Sequence, residues 1–364
     1  MFTPPVFATD GLGLSANSAI SIEHYTGTVL YSKNADVKMQ PASTTKIMTA
    51  AVVLKNEKNL DRKIKVSYTA AYAEGSSMYL CENEEITIKD LLYGLMLVSG
   101  NDAATTLAEN VMGGKQQFVD EMNNIAKDLG LSSTQFKNPS GLPEDGHYTT
   151  AKELALITSY AYTLPMFSEI TGTREYRTQA TNTSAVRLLK NHNKLLRLYE
   201  YCDGGKTGFT KTAGRCLVTS GGIDKTRIIN VTLNAGDDWN DHIKLFDSCL
   251  PRIEMKEVEC KNGIFAELPV TNGTKSITSV TNENPLSAVY IDGKQIPYDI
   301  EIHANKFMYA PVNTGDILGM IELKQNNKTV SYSNLISRET AESKPEYIKK
   351  DNIFIILKKI ILSL

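Results

Sequence analysis

The sequence predicts an α+β fold in two parts: an antiparallel sheet covered by helices, followed by a small all-β domain. Three observations carry that reading. An alternating strand pair at the start gives way to a block of helical patterns, after which strands return. From about Ile253 the helical spacing vanishes, and short β-rich runs alternate with turn signals. The chain also has the material for two or three cores, with 364 residues at the usual ~100–200 per domain.

The elements are justified in chain order. Ser18–Glu23 and Thr28–Lys33 alternate around Tyr25-Thr26-Gly27 and predict a β-hairpin. After Pro41 an apolar helical spacing runs through Ile47, Ala50, Ala51 and Leu54. Ile88–Met96 and Ala103–Val111 predict two helices joined by a tight turn at Ser99-Gly100-Asn101. Gln116–Leu129 and Ala151–Tyr162 are also helical in pattern, the second ending before Pro165. Strands are predicted at Gly205–Phe209, Cys216–Ser220 and Ile228–Asn234, and a last helix at Trp239–Cys249 stops before Pro251. Beyond it, Ile264–Val270, Ile277–Val280, Ala288–Ile291 and Ile317–Leu323 are strand-like. Asn272-Gly273, Asp292-Gly293 and Asn313–Asp316 punctuate them as turns. The predicted organisation is a tail over 1–14, a main domain over 15–252, a β-rich domain over 253–338, and a linker with a terminal helix over 339–364.

Composition narrows the function classes. The chain is 41% hydrophobic and 22% charged, which argues against disorder. The formal net charge of −2 leaves no basic footprint for nucleic acid. No run reaches the ~18 apolar residues of a membrane-spanning helix. The five cysteines (Cys81, Cys202, Cys216, Cys249, Cys260) are odd in number, widely spaced and free of C-x-x-C. That points to neither a zinc site nor a redox pair, argues against a disulfide framework, and leaves the compartment open.

The two ends carry signals of their own. Val6-Phe7-Ala8 has the small-x-small form of a signal-peptide cleavage site, and equally that of an ordinary tail. In the terminal segment Asp351–Leu364, Ile353, Ile356, Leu357, Ile360, Ile361 and Leu364 share one helical face. Lys358 and Lys359 lie on the other, with Ile355 and Leu362 intruding. This predicts a helix lying in a membrane interface; the alternative is a terminal helix packed on the protein's own core.

Three short motifs carry chemistry. Ser43 and Lys46, in Ser43-Thr44-Thr45-Lys46, share a helix face. A serine hydroxyl needs an adjacent base to act as a nucleophile, and a buried lysine that has lost its proton supplies one. Ser99-Gly100-Asn101 presents a hydroxyl able to relay a proton and an amide able to hold a carbonyl. Lys206-Thr207-Gly208 falls on a predicted strand, where lysine and threonine suit a carboxylate and Gly208 lets a ligand approach the backbone. Each motif alone has a bland alternative: a capping serine with a surface lysine, a capped loop, a polar strand end. Together, in this order, they are the set used by penicillin-binding proteins and class A β-lactamases.

The longer segments around these motifs resemble the D-alanyl-D-alanine carboxypeptidases, low-molecular-mass penicillin-binding proteins of the serine-peptidase kind. The likeness runs through Gln40–Ala50, Glu74–Ser77, Asp90–Met96 into Ser99–Ala104, Asn138–Leu142, His147–Ala151 and Ala213–Val218, covering about residues 15–250. The resemblance implies a β-lactamase/transpeptidase-like catalytic domain, a small β-rich domain after it and, often, an amphipathic terminal anchor. It implies acyl transfer on peptidoglycan stem peptides ending in D-Ala-D-Ala, with β-lactam antibiotics as covalent inhibitors, outside the cytoplasm and peripherally attached to the membrane. The roles it implies are Ser43 as nucleophile, Lys46 as acylation base, Ser99 as proton relay and Asn101 as peptide positioner. Lys206 and Thr207 recognise the terminal carboxylate, and the backbone N–H groups of Ser43 and Phe209 form the oxyanion hole beside Gly208. Some relatives have histidine where Phe209 stands, a difference that leaves the backbone role intact. The scheme requires no metal or cofactor.

Among other residues, His147 is read as a structural loop histidine, and Cys216 as a small buried residue. Arg215 has two equal readings, charge near the carboxylate or a strand-surface role. Two rival functions remain. A β-lactamase is disfavoured by Ser-Gly-Asn in place of Ser-Asp-Asn, and by the lack of a clear glutamate for deacylation. A non-catalytic sensor is disfavoured because Ser43, Lys46, Ser99 and Lys206 are all present.

Overall fold

The computed structural model describes residues 11–258 and 266–345. The elements in chain order begin with β1 (Ser18–Glu23) and β2 (Val29–Lys33). A 3-10 turn over Ala42–Thr45 then runs into α1 (Lys46–Asn56). Next come β3 (Lys63–Lys65), α2 (Tyr68–Ala71), β4 (Glu85–Thr87), α3 (Ile88–Leu97), α4 (Asn101–Val111), α5 (Lys115–Asp128), α6 (Ala151–Tyr162) and α7 (Phe167–Gly172). After them come β5 (Glu175–Arg177), β6 (Leu188–Lys190), α8 (Leu195–Leu198), β7 (Cys202–Thr210), β8 (Gly214–Gly221), β9 (Ile228–Ala235) and α9 (Asp238–Cys249).

The main sheet has the order β2-β1-β9-β8-β7, and every neighbouring pair is antiparallel. Strand alternation gives it two apolar faces. On β9, Ile229, Val231 and Leu233 join the large core that also takes Leu154, Ala155 and Ile157 of α6. The alternate residues look the other way: His242 of α9 bonds Thr219 Oγ1 through Nδ1 at 2.6 Å and Thr232 Oγ1 through Nε2 at 2.9 Å. Helices therefore cover both faces, in line with the predicted class.

Two features of the helices bear on the motif residues. All of Lys46–Leu54 in α1 is buried, so α1 is a central helix rather than a surface one. Its apolar run is what holds Ser43 and Lys46 at the heart of the unit. The starts of α3 and α6 are fixed by side-chain caps, Thr87 Oγ1 accepting from Asp90 N and Thr150 Oγ1 from Glu153 N.

The chain divides into two compact units between Ile253 and Glu254. In the second, β10 (Ile253–Glu257), β11 (Ala266–Thr271), β12 (Ile277–Asn282), β13 (Ser287–Ile291), β14 (Lys294–Gln295), β15 (Tyr298–Ala304), β16 (Met308–Tyr309), β17 (Ile317–Gln325) and β18 (Lys328–Ser337) make two sheets. Their orders are β10-β13-β14 and β15-β17-β18-β12-β11-β16. Buried Gln325 joins them, its side chain accepting from Val289 N at 2.7 Å and donating to Val289 O at 3.1 Å.

The segment from Glu339, expected as a polar linker, is packed onto this unit in its first part. Ala341 is fully buried with Val270 and Val312, and its backbone bridges to Val312 while Ser343 bridges to Gly273. Its contacts run mainly through backbone groups, so its polar side chains give no sign of them. The predicted terminal helix Asp351–Leu364, the Val6-Phe7-Ala8 tripeptide and Cys260 lie outside the described residues. Among those described, no helix is long and apolar enough to cross a membrane.

Candidate active site

Ser43 sits in the 3-10 turn that precedes α1, and Lys46 is the first residue of the helix proper. Ala42 beside it has φ +49°, a left-handed conformation that a residue with a Cβ rarely adopts. The fold sets this turn from two sides. On one, Gly141, at φ +82°, packs so closely that a Cβ there would lie 1.9 Å from Ala42 O. On the other, a Cβ on Gly208 would meet the backbone nitrogens of Ser43 and Thr44 at 3.1 Å and Pro41 O at 3.2 Å. Gly208 lies on β7, an edge strand, so β7 lays its backbone directly against the turn that carries Ser43.

Lys46 is fully buried. Its Nζ contacts Ser43 Oγ at 3.1 Å and donates to Asn101 Oδ1 at 2.7 Å and Ser140 O at 2.6 Å. Burial, reinforced by the nearby Lys206 ammonium, holds its pKa well below the usual lysine value, with Asp102 opposing. Two donors are satisfied by Asn101 and Ser140. A neutral amine then keeps its lone pair for the Ser43 hydroxyl, the arrangement of a base and its nucleophile. Lys206 is buried too, with Nζ on Thr207 O at 2.8 Å, and burial brings its pKa down to about 7.

A cavity of about 280 Å³ opens over Ser43. Ser43, Ser99, Thr207, Gly208 and Phe209 line it, with Ser76, His192, Arg215, Asp238 and Trp239. Ser99 has φ +62°, and its hydroxyl is buried with no hydrogen-bond partner, leaving it available to a ligand. No described hydrogen bond joins it to Lys46 or Lys206. Phe209 is 66% exposed, so its side chain stands out at the mouth while its backbone stays in the strand.

The structure differs from the sequence reading at two motif residues. Asn101 lies behind the wall rather than on it: Oδ1 takes Lys46, and Nδ2 donates to Glu74 O at 2.5 Å. Lys206 also lies behind the wall, beneath Thr207. The basic side chain that does line the cavity is Arg215, on β8 opposite Phe209. Its Nε donates to Asp238 Oδ1 at 2.9 Å, and the Asp238 side chain is only 5% exposed. This bond ties down the guanidinium through Nε, and no described hydrogen bond takes its two terminal nitrogens.

Other sequence readings resolve simply. His147 is buried; its Nδ1 accepts from Lys137 N at 3.2 Å, and Nε2 therefore carries the proton given to Thr45 Oγ1 at 2.9 Å. Burial above all lowers its pKa to about 4, the state of a structural, neutral histidine. Cys216 is a buried free thiol pushed up to about 11 by burial, too high to be reactive. His192, Asp238 and Trp239 fall in no motif of the sequence reading, whereas Ser76 belongs to the Glu74–Ser77 segment that carries the resemblance. One cluster of potential metal ligands exists among the described residues, Glu301, His303 and Glu322. The ammonium of Lys324 fills it, bonding Glu301 and lying 3.6 Å from Glu322.

Comparison with known proteins identifies the family of both units. The family model for D-alanyl-D-alanine carboxypeptidase matches residues 6–237, and that for the C-terminal domain of penicillin-binding protein 5 matches residues 254–343. The chain is 34% identical to the D-alanyl-D-alanine carboxypeptidase DacF of Bacillus subtilis, covering 93% of this chain and 90% of that one. Among solved structures it resembles penicillin-binding protein 5 of Haemophilus influenzae, with TM-score 0.64 and 25% identity over 94% of this chain and all of that chain. It also resembles the Streptomyces K15 DD-transpeptidase, with TM-score 0.61 and 32% identity over 68% of this chain and 98% of that one.

Proposed function

The chain belongs to the D-alanyl-D-alanine carboxypeptidase family, and from that premise we propose how its residues perform the reaction. It is a serine-type penicillin-binding enzyme that removes the terminal D-alanine from peptidoglycan stem peptides. The observation that carries the mechanism is the contact between buried Lys46 and Ser43. Neutral Lys46 takes the hydroxyl proton as Ser43 Oγ attacks the carbonyl of the penultimate D-alanine. The oxyanion forms between the backbone N–H groups of Ser43 and Phe209, brought together by the close approach of Gly208. Ser99, whose hydroxyl lacks a partner, gives its proton to the departing amine and takes one from the Lys46 ammonium, so Lys46 returns to its neutral form as D-alanine leaves. Water then attacks the Ser43 ester; neutral Lys46 accepts its proton and returns it to Ser43 Oγ as the ester bond breaks, which restores the starting enzyme. The scheme balances without any further reactant.

Recognition divides between two walls. Thr207 and the two terminal nitrogens of Arg215 take the terminal carboxylate, with Asp238 holding the arginine and the buried Lys206 adding positive potential. Asn101 orients Lys46; for it to hold a peptide carbonyl as well, its Nδ2 must leave Glu74 O. β-Lactams enter the same site and stop at the acyl-enzyme.

Mass spectrometry after penicillin exposure tests the assignment: the adduct is expected on the peptide containing Ser43, and none in Ser43→Ala. Release of D-alanine from a stem peptide separates this activity from that of a β-lactamase. Product analysis with an added amine acceptor separates hydrolysis from transfer, the reaction named for the Streptomyces relative. The amphipathic pattern of residues 351–364 supports peripheral attachment to a membrane outside the cytoplasm. Deleting that segment is expected to abolish liposome binding; unchanged binding overturns this part of the reading.

A further inference from the structure

We propose that Tyr68 and Tyr72 form a carbohydrate-binding ledge beside the cleft, which takes the glycan to which the stem peptide is attached. This inference rests on the carboxypeptidase function proposed for the chain.

Both side chains are set out in solvent, 63% and 69% exposed, with ring centroids 4.6 Å apart and planes tilted by 38°. They do nothing evident for the fold. Tyr68 opens the short helix α2 and Tyr72 directly follows it; the only buried residue of that helix is Ala70, and the helix start is already fixed by Ser67 Oγ accepting from Ala70 N at 3.0 Å. Two adjoining exposed aromatic rings are the surface that the C–H face of a pyranose packs against, with the phenol hydroxyls and the exposed Glu74 available to sugar hydroxyls.

The ledge is continuous with the cleft. The segment 67–76 is tied to α4 at both ends: Ser67 Oγ donates to Glu109 Oε2 at 2.7 Å, Asn101 Nδ2 donates to Glu74 O, and Asn101 N donates to Ser76 O at 2.7 Å. Glu109 and Asn101 stand about 12 Å apart along the helix. The tyrosines lie on this span, and Tyr72 is within about 7 Å of chain from Glu74. Ser76, at its end, lines the cavity. With the carboxylate on Thr207 and Arg215 of β7 and β8, the acyl part of the substrate runs towards the α4 side of the cavity, where Asn101 N holds Ser76 O. The four residues upstream of the scissile bond span about 13–14 Å when extended. That length is comparable to the four residues of chain, Tyr72 to Ser76, that separate the nearer tyrosine from the cavity lining.

The test compares D-alanine release from a free stem pentapeptide and from the same peptide linked to its glycan, using the full chain. Wild type is expected to favour the linked substrate in kcat/KM. Tyr68→Ala with Tyr72→Ala is expected to lose about 5–10-fold on the linked substrate, the scale of an aromatic contact. It should leave the free peptide and the rate of penicillin acylation unchanged, and Tyr68→Phe with Tyr72→Phe should retain most of the preference. A wild type indifferent to the glycan, or a double alanine variant that slows both substrates equally or neither, overturns the ledge. If wild type releases D-alanine from neither substrate, it is the functional reading that fails. The ledge is then decided by peptide-free glycan oligomers, whose addition should shift tyrosine ring signals in wild type and not in the double alanine variant.

Discussion

Lys46 Nζ lies 3.1 Å from Ser43 Oγ, and its other two contacts, Asn101 Oδ1 and Ser140 O, are both acceptors. The geometry thus fixes which proton-transfer state is productive. A protonated Lys46 spends all three donors and cannot take the serine proton. The neutral form keeps two donors occupied and turns its lone pair to Ser43. Because burial and Lys206 both lower its pKa, that neutral form is accessible well below the usual lysine range. Acylation by a fluorescent penicillin should rise with pH through the Lys46 titration. Lys46→Met should reduce the rate by about 10²–10⁴-fold. Stopped-flow acylation measures both; a variant that acylates as wild type removes Lys46 as the base.

Gly208→Ala probes the oxyanion hole without touching a side chain of the reaction. The added methyl meets Ser43 N and Thr44 N at 3.1 Å, so the turn and β7 have to separate by a few tenths of an ångström. The fold tolerates that shift, whereas donors aimed at a developing charge do not. A loss of up to about 10²–10³ in acylation rate is expected, with unchanged circular dichroism.

Arg215→Ala tests carboxylate recognition. A charged hydrogen bond is worth about 1.5–3 kcal/mol, which is about 10–100-fold in kcat/KM for a stem peptide. A substrate with an amidated C-terminus should show no such difference between variant and wild type. Asp238→Asn should give a smaller loss, since it loosens the guanidinium but keeps its charge. Equal losses on acid and amide substrates would move Arg215 to a structural role.

How much of this site is legible in the sequence depends on physical locality. Ser43 with Lys46 and Ser99 with Asn101 are readable because each pair sits within one turn, where spacing alone puts side chains together. Lys206–Gly208, by itself no more than a polar strand end, is readable only through its order after the other two motifs. The partners of Lys46 are only half visible: Asn101 is a motif residue, while Ser140 contributes a main-chain carbonyl, which any residue type supplies. His192 reaches the cavity through a loop anchored there by its own N–H on Leu97 O, again a backbone contact. In the second unit β15 escapes notice because, as an edge strand with Asp299 to His303 all exposed, it has no buried face to impose alternation. Helix α5 is clear because it buries one apolar face at helical spacing, whereas α3 is buried along almost its whole length and is marked by its apolar run and its Thr87 cap.

Lys206 links activity to stability. Burial lowers its pKa from 10.5 to about 7. Between those values the unfolded chain binds a proton that the folded chain does not, so stability rises with pH across that window. Above about 10.5 neither state is charged and burial of the amine carries no ionisation penalty. As pH falls from there the penalty grows, and it is complete below about 7, where the folded protein holds an ammonium ion in its interior. Lys206→Met removes the titration while keeping an unbranched side chain in place. Its Tm should exceed that of wild type near pH 7 and converge towards it as pH approaches ~10, while D-alanine release falls at every pH. Thermal melts across that range check the prediction. A Tm difference that grows with rising pH would mean that Lys206 is charged and stabilised in the folded state, contrary to its burial.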